Sequence, residues 1–474
     1  MKIRNFTCLR MMFLLGLFCT FNISCERDLS DEAEFASFPN TAEVFIDGFS
    51  GGLEYLPFGG SKLNAFSVDT ETKYEGTSSM RFDVPNFGDP AGAFAGAIFP
   101  DYNGRNLSEY DALTFWAKAT QAATINEIGF GVDFEKNKFA VTRQNLRITT
   151  TWTKYVIPIP DPLKLDLEKG MFWYAAGPEN NNGFTFWIDE LQYESLGTIA
   201  QPKPAILNGE DVIQTSFIGS SIDLTSGLSQ TFNLGSGINE TVLAAPSYFT
   251  FSSTDPDVAR VSELGIVSIV GNGSAVITAI LDGVKAKGSL SVEVIGQFTP
   301  APIPPYDPDQ VISIFSDVYT NVPVDFYNGF YAPFQTTTSN DFAVNGDNVL
   351  NYENYNFVGI EFNQNVPTIN ASSMTKMHLD IFIPNGFDPE STLRINLVDF
   401  GADDAFGGGD NSTVSITLST NSTPALVTGD WISVDLDITA LANRKNLGQI
   451  VFDASGDTSP RPSSFYVDNI YLYK

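Results

Sequence analysis

Apolar and polar residues alternate one for one in short runs along most of this chain. Met80-Arg-Phe-Asp-Val84, Leu113-Thr-Phe-Trp-Ala-Lys118 and Ile128-Gly-Phe-Gly-Val-Asp-Phe134 carry the pattern, as do Trp152–Ile159 and Phe184–Leu191. A period of two puts every second side chain on one face of a strand. The stretches between these runs are rich in Gly, Asn, Asp and Pro, the residues that close turns. The pattern predicts an antiparallel β-sandwich over about residues 43–197.

Gln201-Pro-Lys-Pro204 reads as a stiff boundary. It is followed, over about 205–296, by the alternating runs Thr250–Val261 and Gly265–Ala279 around Gly-rich turns. A Pro-rich stretch, Thr299–Pro308, is expected to be extended and semi-rigid. Beyond it, about 310–474 repeats the grammar of the first unit. Lys376–Pro384 parallels Leu113–Ala119, Gly429–Ile438 parallels Thr151–Ile159, and Phe465–Tyr473 parallels Phe186–Tyr193. Three all-β modules are expected, two of one kind flanking a different one.

Composition narrows the chemistry. Aromatics reach 13% of the 474 residues, with Phe as frequent as Gly, which is ample material for sandwich cores. A net charge of −30 argues against nucleic acid, because phosphate binding needs a basic surface. His378 is the single histidine, so no Ser-His-Asp or Cys-His site exists away from it, and no zinc site with two histidines.

At the N-terminus, Lys2, Arg4 and Arg10 precede the apolar stretch Met11–Phe21, the layout of a secretory leader and too short to span a bilayer comfortably. The leader ends Asn22-Ile-Ser-Cys25, which resembles a bacterial lipobox and implies cleavage after residue 24 with lipid on Cys25. Cys8 and Cys19 would leave with the leader, so the mature chain would hold no free thiol and no disulfide. Residues 25–42 read as an acidic tether; its opening, Glu26-Arg-Asp-Leu-Ser-Asp-Glu-Ala-Glu34, resembles the export signal of surface lipoproteins in Bacteroidetes-type bacteria. The implied location is the outer face of the outer membrane.

Alternation also nominates binding residues. If Leu113, Phe115 and Ala117 face a core, Trp116 and Lys118 face away; on a strand taken as adjacent, Gly129, Gly131 and Asp133 do the same. Trp116 beside two glycines and Asp133 would form a groove with a floor. Trp173 precedes the polar loop Pro178–Gly183, a junction suited to a stacking platform. Trp152 and Trp431 open strands and read as core, while Trp187 fits either role. In the third unit the loop Asp325–Phe334 holds five aromatics and nominates Tyr331 and Phe334. His378 and Asp380 alternate away from Met377, Leu379 and Ile381, and are taken with Glu361 and Arg394 as a hydrogen-bonding face.

Several of these strings carry family resemblances. The middle unit resembles bacterial Ig-like domains of the second class, usually spacers. Tyr74–Phe82, Arg105–Ala119 and Trp187–Leu191 are similar to carbohydrate-binding modules with the galactose-binding-like jelly-roll fold. Ile314–Tyr319, Gly346–Tyr352, Tyr355–Phe362, Met377–Phe382 and Tyr466–Tyr471 resemble modules appended to family 16 β-glucanases of marine Bacteroidetes, with Phe334 and Phe382 where that family often has tryptophan. The resemblance implies two jelly-roll sandwiches flanking an Ig-like one. It also implies a structural Ca²⁺ near the chain ends of each sandwich, with Asp47 and Asp189 in the first and Asp317 and Asp468 in the third.

The whole layout is similar to surface glycan-binding lipoproteins of polysaccharide-utilisation systems. What that implies is capture of a β-glucan, most of all the β-1,3-glucan laminarin, for neighbouring hydrolases and an outer-membrane transporter, without catalysis. Two other classes stay open. A glycoside hydrolase needs only two well-placed carboxylates, although Asp189-Glu-Leu-Gln-Tyr-Glu194 lacks the spacing of the family 16 motif. A structural adhesin would also suit an Ig-like spacer.

Overall fold

The computed structural model describes residues 38–474 apart from 330, 332, 345–346 and 455–459. The leader, Cys25 and most of the tether lie outside the described residues. Among those described, the chain is all-β, with only short 3₁₀ turns beside its strands. The fold class matches the sequence expectation.

The first sandwich packs two sheets around one aromatic core. Its back sheet runs Phe66–Asp69, Ser79–Val84, Phe184–Glu194, Ala112–Ala119, Thr153–Pro158, with Glu43–Phe45 pairing the closing strand Phe184–Glu194. Its face sheet includes Val141–Ile148, Ala123–Phe130, Glu168–Ala176, Ala95–Arg105 and Leu56–Pro57 in that order. Phe82, Phe99, Phe115, Phe130, Phe172, Tyr174 and Phe186 fill the space between, all buried. At roughly 25 cal/mol per Å² of apolar surface removed from water, rings of this size dominate the stability of the module.

The third sandwich repeats this plan. Its back sheet runs Thr338–Val344, Asp347–Glu353, Phe465–Tyr473, Lys376–Phe382, Trp431–Asp437, and its first strand, Val311–Phe315, again pairs the closing strand. The closing strands share one distortion: Glu190 (φ 50°) follows Asp189, and Asn469 (φ 53°) follows Asp468. The face sheet orders Val358–Glu361, Leu447–Asp453, Leu393–Asp399 and Ser412–Leu418. The repeat legible in the sequence is therefore a repeat of topology.

The boundaries between modules are packed. Strands Ala200–Ala205, Ser229–Asn233 and Asn239–Ala244 extend the face sheet of the first sandwich to eight strands. Gln201-Pro-Lys-Pro204 thus lies in the outermost strand, where residues without an N–H are tolerated. Tyr248 and Phe249 join the first core. The remainder of the middle module, called Ig-like only after its sequence resemblance, has its own small core that includes Val267, Ile277 and Val292.

A third contact joins the Ig-like module to the third sandwich, where Phe217, Phe298, Val344, Val349, Phe382 and Tyr466 form one buried cluster. Phe382 is spent there. The Pro-rich stretch lies across the back sheet of the third sandwich: Trp431 Nε1 donates to Thr299 O (2.6 Å), Asn469 Nδ2 donates to Pro302 O (3.0 Å), and Tyr306 stacks on Tyr473 at 4.4 Å.

Candidate functional site

On the outer side of the first face sheet, Trp173 stands opposite Gly129 in the neighbouring strand. Phe172 and Tyr174 point into the core, so alternation turns Trp173 outward. Its Nε1 donates to Val141 O (3.3 Å), and the side chain is only 7% exposed. A Cβ at Gly129 would sit 1.8 Å from Val141 O and 3.1 Å from Trp173 Nε1; only glycine leaves room for the indole. Phe58 packs edge-on against Trp173 at 6.2 Å and against Phe134 at 5.4 Å, and Phe134 is 48% exposed. Along the same face Gln144 Nε2 lies 3.4 Å from Glu127 Oε1. Phe134 is thus the exposed ring of a patch in which Phe58 is half-buried and Trp173 almost wholly covered, with one amide and one carboxylate on the same face.

This arrangement corrects the expected groove. Trp116 belongs to the back sheet, whereas Gly129, Gly131 and Asp133 follow the face sheet, so Gly129 borders Trp173 instead. Trp116 is stacked on Tyr74 at 4.0 Å, with Trp152 edge-on to Tyr74, and so lacks an open face on that side. Trp187 is buried, with Nε1 donating to Asp69 Oδ2 (2.9 Å) and Arg81 and Lys118 over its ring. Asp133 closes its own loop: Oδ1 accepts from the backbone N–H groups of Glu135, Lys136 and Asn137. That role positions Phe134 and leaves Asp133 a loop-former.

The third sandwich has a cleft of about 500 Å³ on the outside of its face sheet. Tyr331, Glu361, Asn363, Gln364 and Gln449 supply its polar side chains, and Phe357, Phe400 and Phe406 its apolar walls. Gln449 Nε2 donates to Glu361 Oε1 (3.1 Å) and lies 3.2 Å from the Tyr331 hydroxyl, and Gln364 Nε2 donates to Glu361 Oε2 (3.1 Å). Burial raises the Glu361 pKa, opposed by these two amide donors. Tyr331, nominated from its loop, lines this cleft. Phe334, 77% exposed, projects from that loop and does not line the cleft.

His378 and Asp380 are not part of this cleft. They lie on the back sheet, whereas Glu361 and Arg394 lie on the face sheet, so the expected four-residue face is split between two sheets. Asp380 is fully buried, accepting from Ser433 Oγ (2.5 Å) and Asn469 Nδ2 (2.9 Å). His378 Nδ1 meets Asp435 Oδ1 at 2.9 Å and its ring stacks on Tyr471 at 4.8 Å. Burial lowers the His378 pKa, but hydrogen bonds and charge from Asp380 and Asp435 outweigh it and the net shift is upward. Covered by the Pro-rich stretch, this network fastens that segment to the sandwich. Arg394 instead forms a bidentate pair with Asp453.

The four aspartates expected near calcium clamp backbone. Asp47 Oδ1 accepts from Thr77 and Ser78, Asp189 from Tyr74 and Glu190, Asp317 from Asn348, and Asp468 from Asn469. Among the described residues, no group of three or more His, Cys, Asp or Glu could hold a metal ion as it stands. The carboxylates do crowd in the third sandwich. Burial and the charges of Asp347, Asp317 and Asp380 push Asp468 up to about 7, and burial beside Asp317 pushes Asp347 up to about 6.

Sequence reasoning missed Phe58, Phe134, Phe357, Phe406 and Gln449. Phe134 follows the Asp that turns its loop, a usable signal; the others become neighbours only through strand pairing across long sequence separations.

The model of the family Carbohydrate binding domain 30 matches residues 43–195, the first sandwich. Among solved structures, the chain is similar to a family 30 carbohydrate-binding module (20% identity, 33% of this chain and 85% of that one, TM-score 0.23). A family 11 module from Clostridium thermocellum, in complex with a β-1,3-1,4-mixed-linked tetrasaccharide, aligns at 17% identity over 31% of this chain and 86% of its own (TM-score 0.21). The tandem CBM22 domain of Paenibacillus barcinonensis Xyn10C aligns at 12% identity over 93% of this chain and all of its own (TM-score 0.23). No curated protein matches the chain. The chain is an all-β protein whose first sandwich matches a carbohydrate-binding family.

Proposed function

We propose that this protein is a non-catalytic, surface-displayed polysaccharide-binding lipoprotein that captures a neutral β-glucan, laminarin above all, for neighbouring hydrolases and an outer-membrane transporter. The observation that carries the reading is the coincidence of the carbohydrate-binding family match with the sandwich whose outer face bears Trp173, Phe58 and Phe134. Glucose rings offer flat C–H faces and a rim of hydroxyls. Aromatic rings bury the faces, and the Glu127–Gln144 edge meets the rim. The cleft around Tyr331 offers the same combination in the third sandwich. Affinity per site is expected at about micromolar to millimolar, because many sugar hydroxyls exchange water for protein with little gain. Lipid on Cys25 would hold the chain to the membrane, with the tether as spacer.

The test is electrophoresis of the purified chain in native gels containing laminarin, paired with a reducing-sugar assay. Retarded migration without sugar release is the expected result. Sugar release would make the protein a hydrolase, and unretarded migration on every glucan would favour a structural role. Digestion by protease added to intact cells tests the surface location; full protection would overturn it.

A further inference from the structure

The cleft of the third sandwich has a floor of unusual polarity. Glu361 is buried, and glycines on both sides make the space it occupies: a Cβ at Gly329 would lie 3.1 Å from its carboxyl carbon, and one at Gly359 3.0 Å from the Tyr331 hydroxyl. An ionised carboxylate only accepts hydrogen bonds, so it fixes both amides with their N–H groups turned inward. One Gln449 N–H goes to Glu361 and the same nitrogen lies within reach of the Tyr331 oxygen; the Gln364 N–H goes to the other Glu361 oxygen. With the Gln449 nitrogen engaged on both sides, the floor offers the Glu361 carboxylate and two amide oxygens as acceptors, and the second Gln364 N–H and the Tyr331 hydroxyl as donors. Among the described residues, no Lys, Arg or His lines the cleft.

We propose that Glu361 is the specificity-determining residue of this cleft, selecting neutral, hydroxyl-donating glycans and rejecting uronic-acid or sulfated ones. A neutral sugar brings hydroxyl protons that the Glu361 carboxylate and the amide oxygens can accept, without adding charge. An anionic sugar brings more acceptors and a like charge next to a carboxylate in a half-dry site, where repulsion is much stronger than in water. Selectivity here arises as much from what is refused as from what is held. The inference rests on the third sandwich being a glycan site at all.

The experiment is calorimetric titration of the full chain with a β-1,3-gluco-oligosaccharide and with a uronic-acid oligosaccharide of the same length. The unaltered chain should bind the first and not the second. Glu361→Gln keeps the shape, removes the charge and frees the amides to turn; uronate affinity should rise by about tenfold or more, the scale of one close charge repulsion. Gln364→Lys, at an exposed position, leaves Glu361 in place and adds a cation; it should also admit the uronate, and lose it again at high salt. The two variants are independent, so misfolding of one leaves the other as the test. Unchanged discrimination in folded variants overturns the proposal. If Tyr331→Ala leaves neutral-glucan affinity untouched, the cleft is not a glycan site, and the reading beneath the proposal fails instead.

Discussion

Leu243, from the segment after the first sandwich, is ladder-paired with Thr142 inside it, and Ala244 with Val141. The face sheet therefore runs without a break from Leu56–Pro57 to Ala200–Ala205. A chain cut at residue 197 would expose the Val141–Ile148 edge and remove Tyr248 and Phe249 from the core.

The first prediction follows from that sharing. Tyr248 is buried and its hydroxyl donates to Phe139 O (3.1 Å). Tyr248→Ala should destabilise the first sandwich itself by about 3–5 kcal/mol, as large aromatic truncations in cores do. Calorimetry should show the transition of the first sandwich falling with that of the Ig-like module. A first-sandwich transition that stays put would mean the two cores are independent.

How far the sequence carries can be read from two tryptophans. Alternation turns Trp116 away from the core, as found, whereas Trp173 is nominated by its place before a polar loop. It could not say which sheet each strand joins, because pairing partners such as Trp173 and Gly129 lie far apart in sequence. The same gap put His378 and Asp380 beside Glu361. Parity is local and legible; sheet membership is set by long-range pairing. The repeated plan of the two outer sandwiches was legible because corresponding strands carry similar strings. The packed boundaries were not, since Pro202 and Pro204 look alike in a linker and in an edge strand.

The second prediction separates the two tryptophans by function. Phe134→Ala should weaken laminarin retention by the first sandwich by about tenfold if stacking is worth about 1.4 kcal/mol, and Trp173→Ala should weaken it too by removing the ring against which Phe58 packs. Trp116→Ala should leave retention unchanged, since Tyr74 already covers that ring. Affinity electrophoresis with all three variants is sufficient. Loss of binding in the Trp116 variant alone would move the site to the back sheet.

A third prediction concerns the joint between the Ig-like module and the third sandwich. Phe217 sits 5.2 Å from Phe298, 5.7 Å from Phe382 and 5.5 Å from Tyr466. Phe217→Ala should remove the centre of that cluster and free the third sandwich to swing. Small-angle scattering should then report a broader distribution of overall dimensions, while each module keeps its own melting transition. An unchanged scattering profile would show that the strap from Thr299 to Pro302 suffices to hold the joint.

The last prediction is a pH dependence. Asp468, at about 7, and Asp347, at about 6, both lie above their unfolded values near 4. Between pH 4 and 7 the folded chain thus holds protons that the unfolded chain has released, so stability falls as pH rises through that window. Glu168 in the first sandwich, pushed up to about 7 by burial, acts in the same direction. His378, raised above its usual value, contributes stability below pH 6.5 that is lost once it deprotonates, again favouring acid. The melting temperature of the third sandwich should accordingly be higher at pH 5 than at pH 8, by roughly 2–5 °C. Asp347→Asn, which removes a charge whose Oδ2 is buried without a partner, should raise the value at pH 8 and flatten the profile. The same measurement decides the calcium expectation. Millimolar Ca²⁺ that raises the melting temperature at pH 8 and cancels the gain on acidification would place the ion among Asp317, Asp347 and Asp468, because a bound cation favours the ionised carboxylates. No response to Ca²⁺ would leave them a proton-sharing cluster that clamps the closing strand.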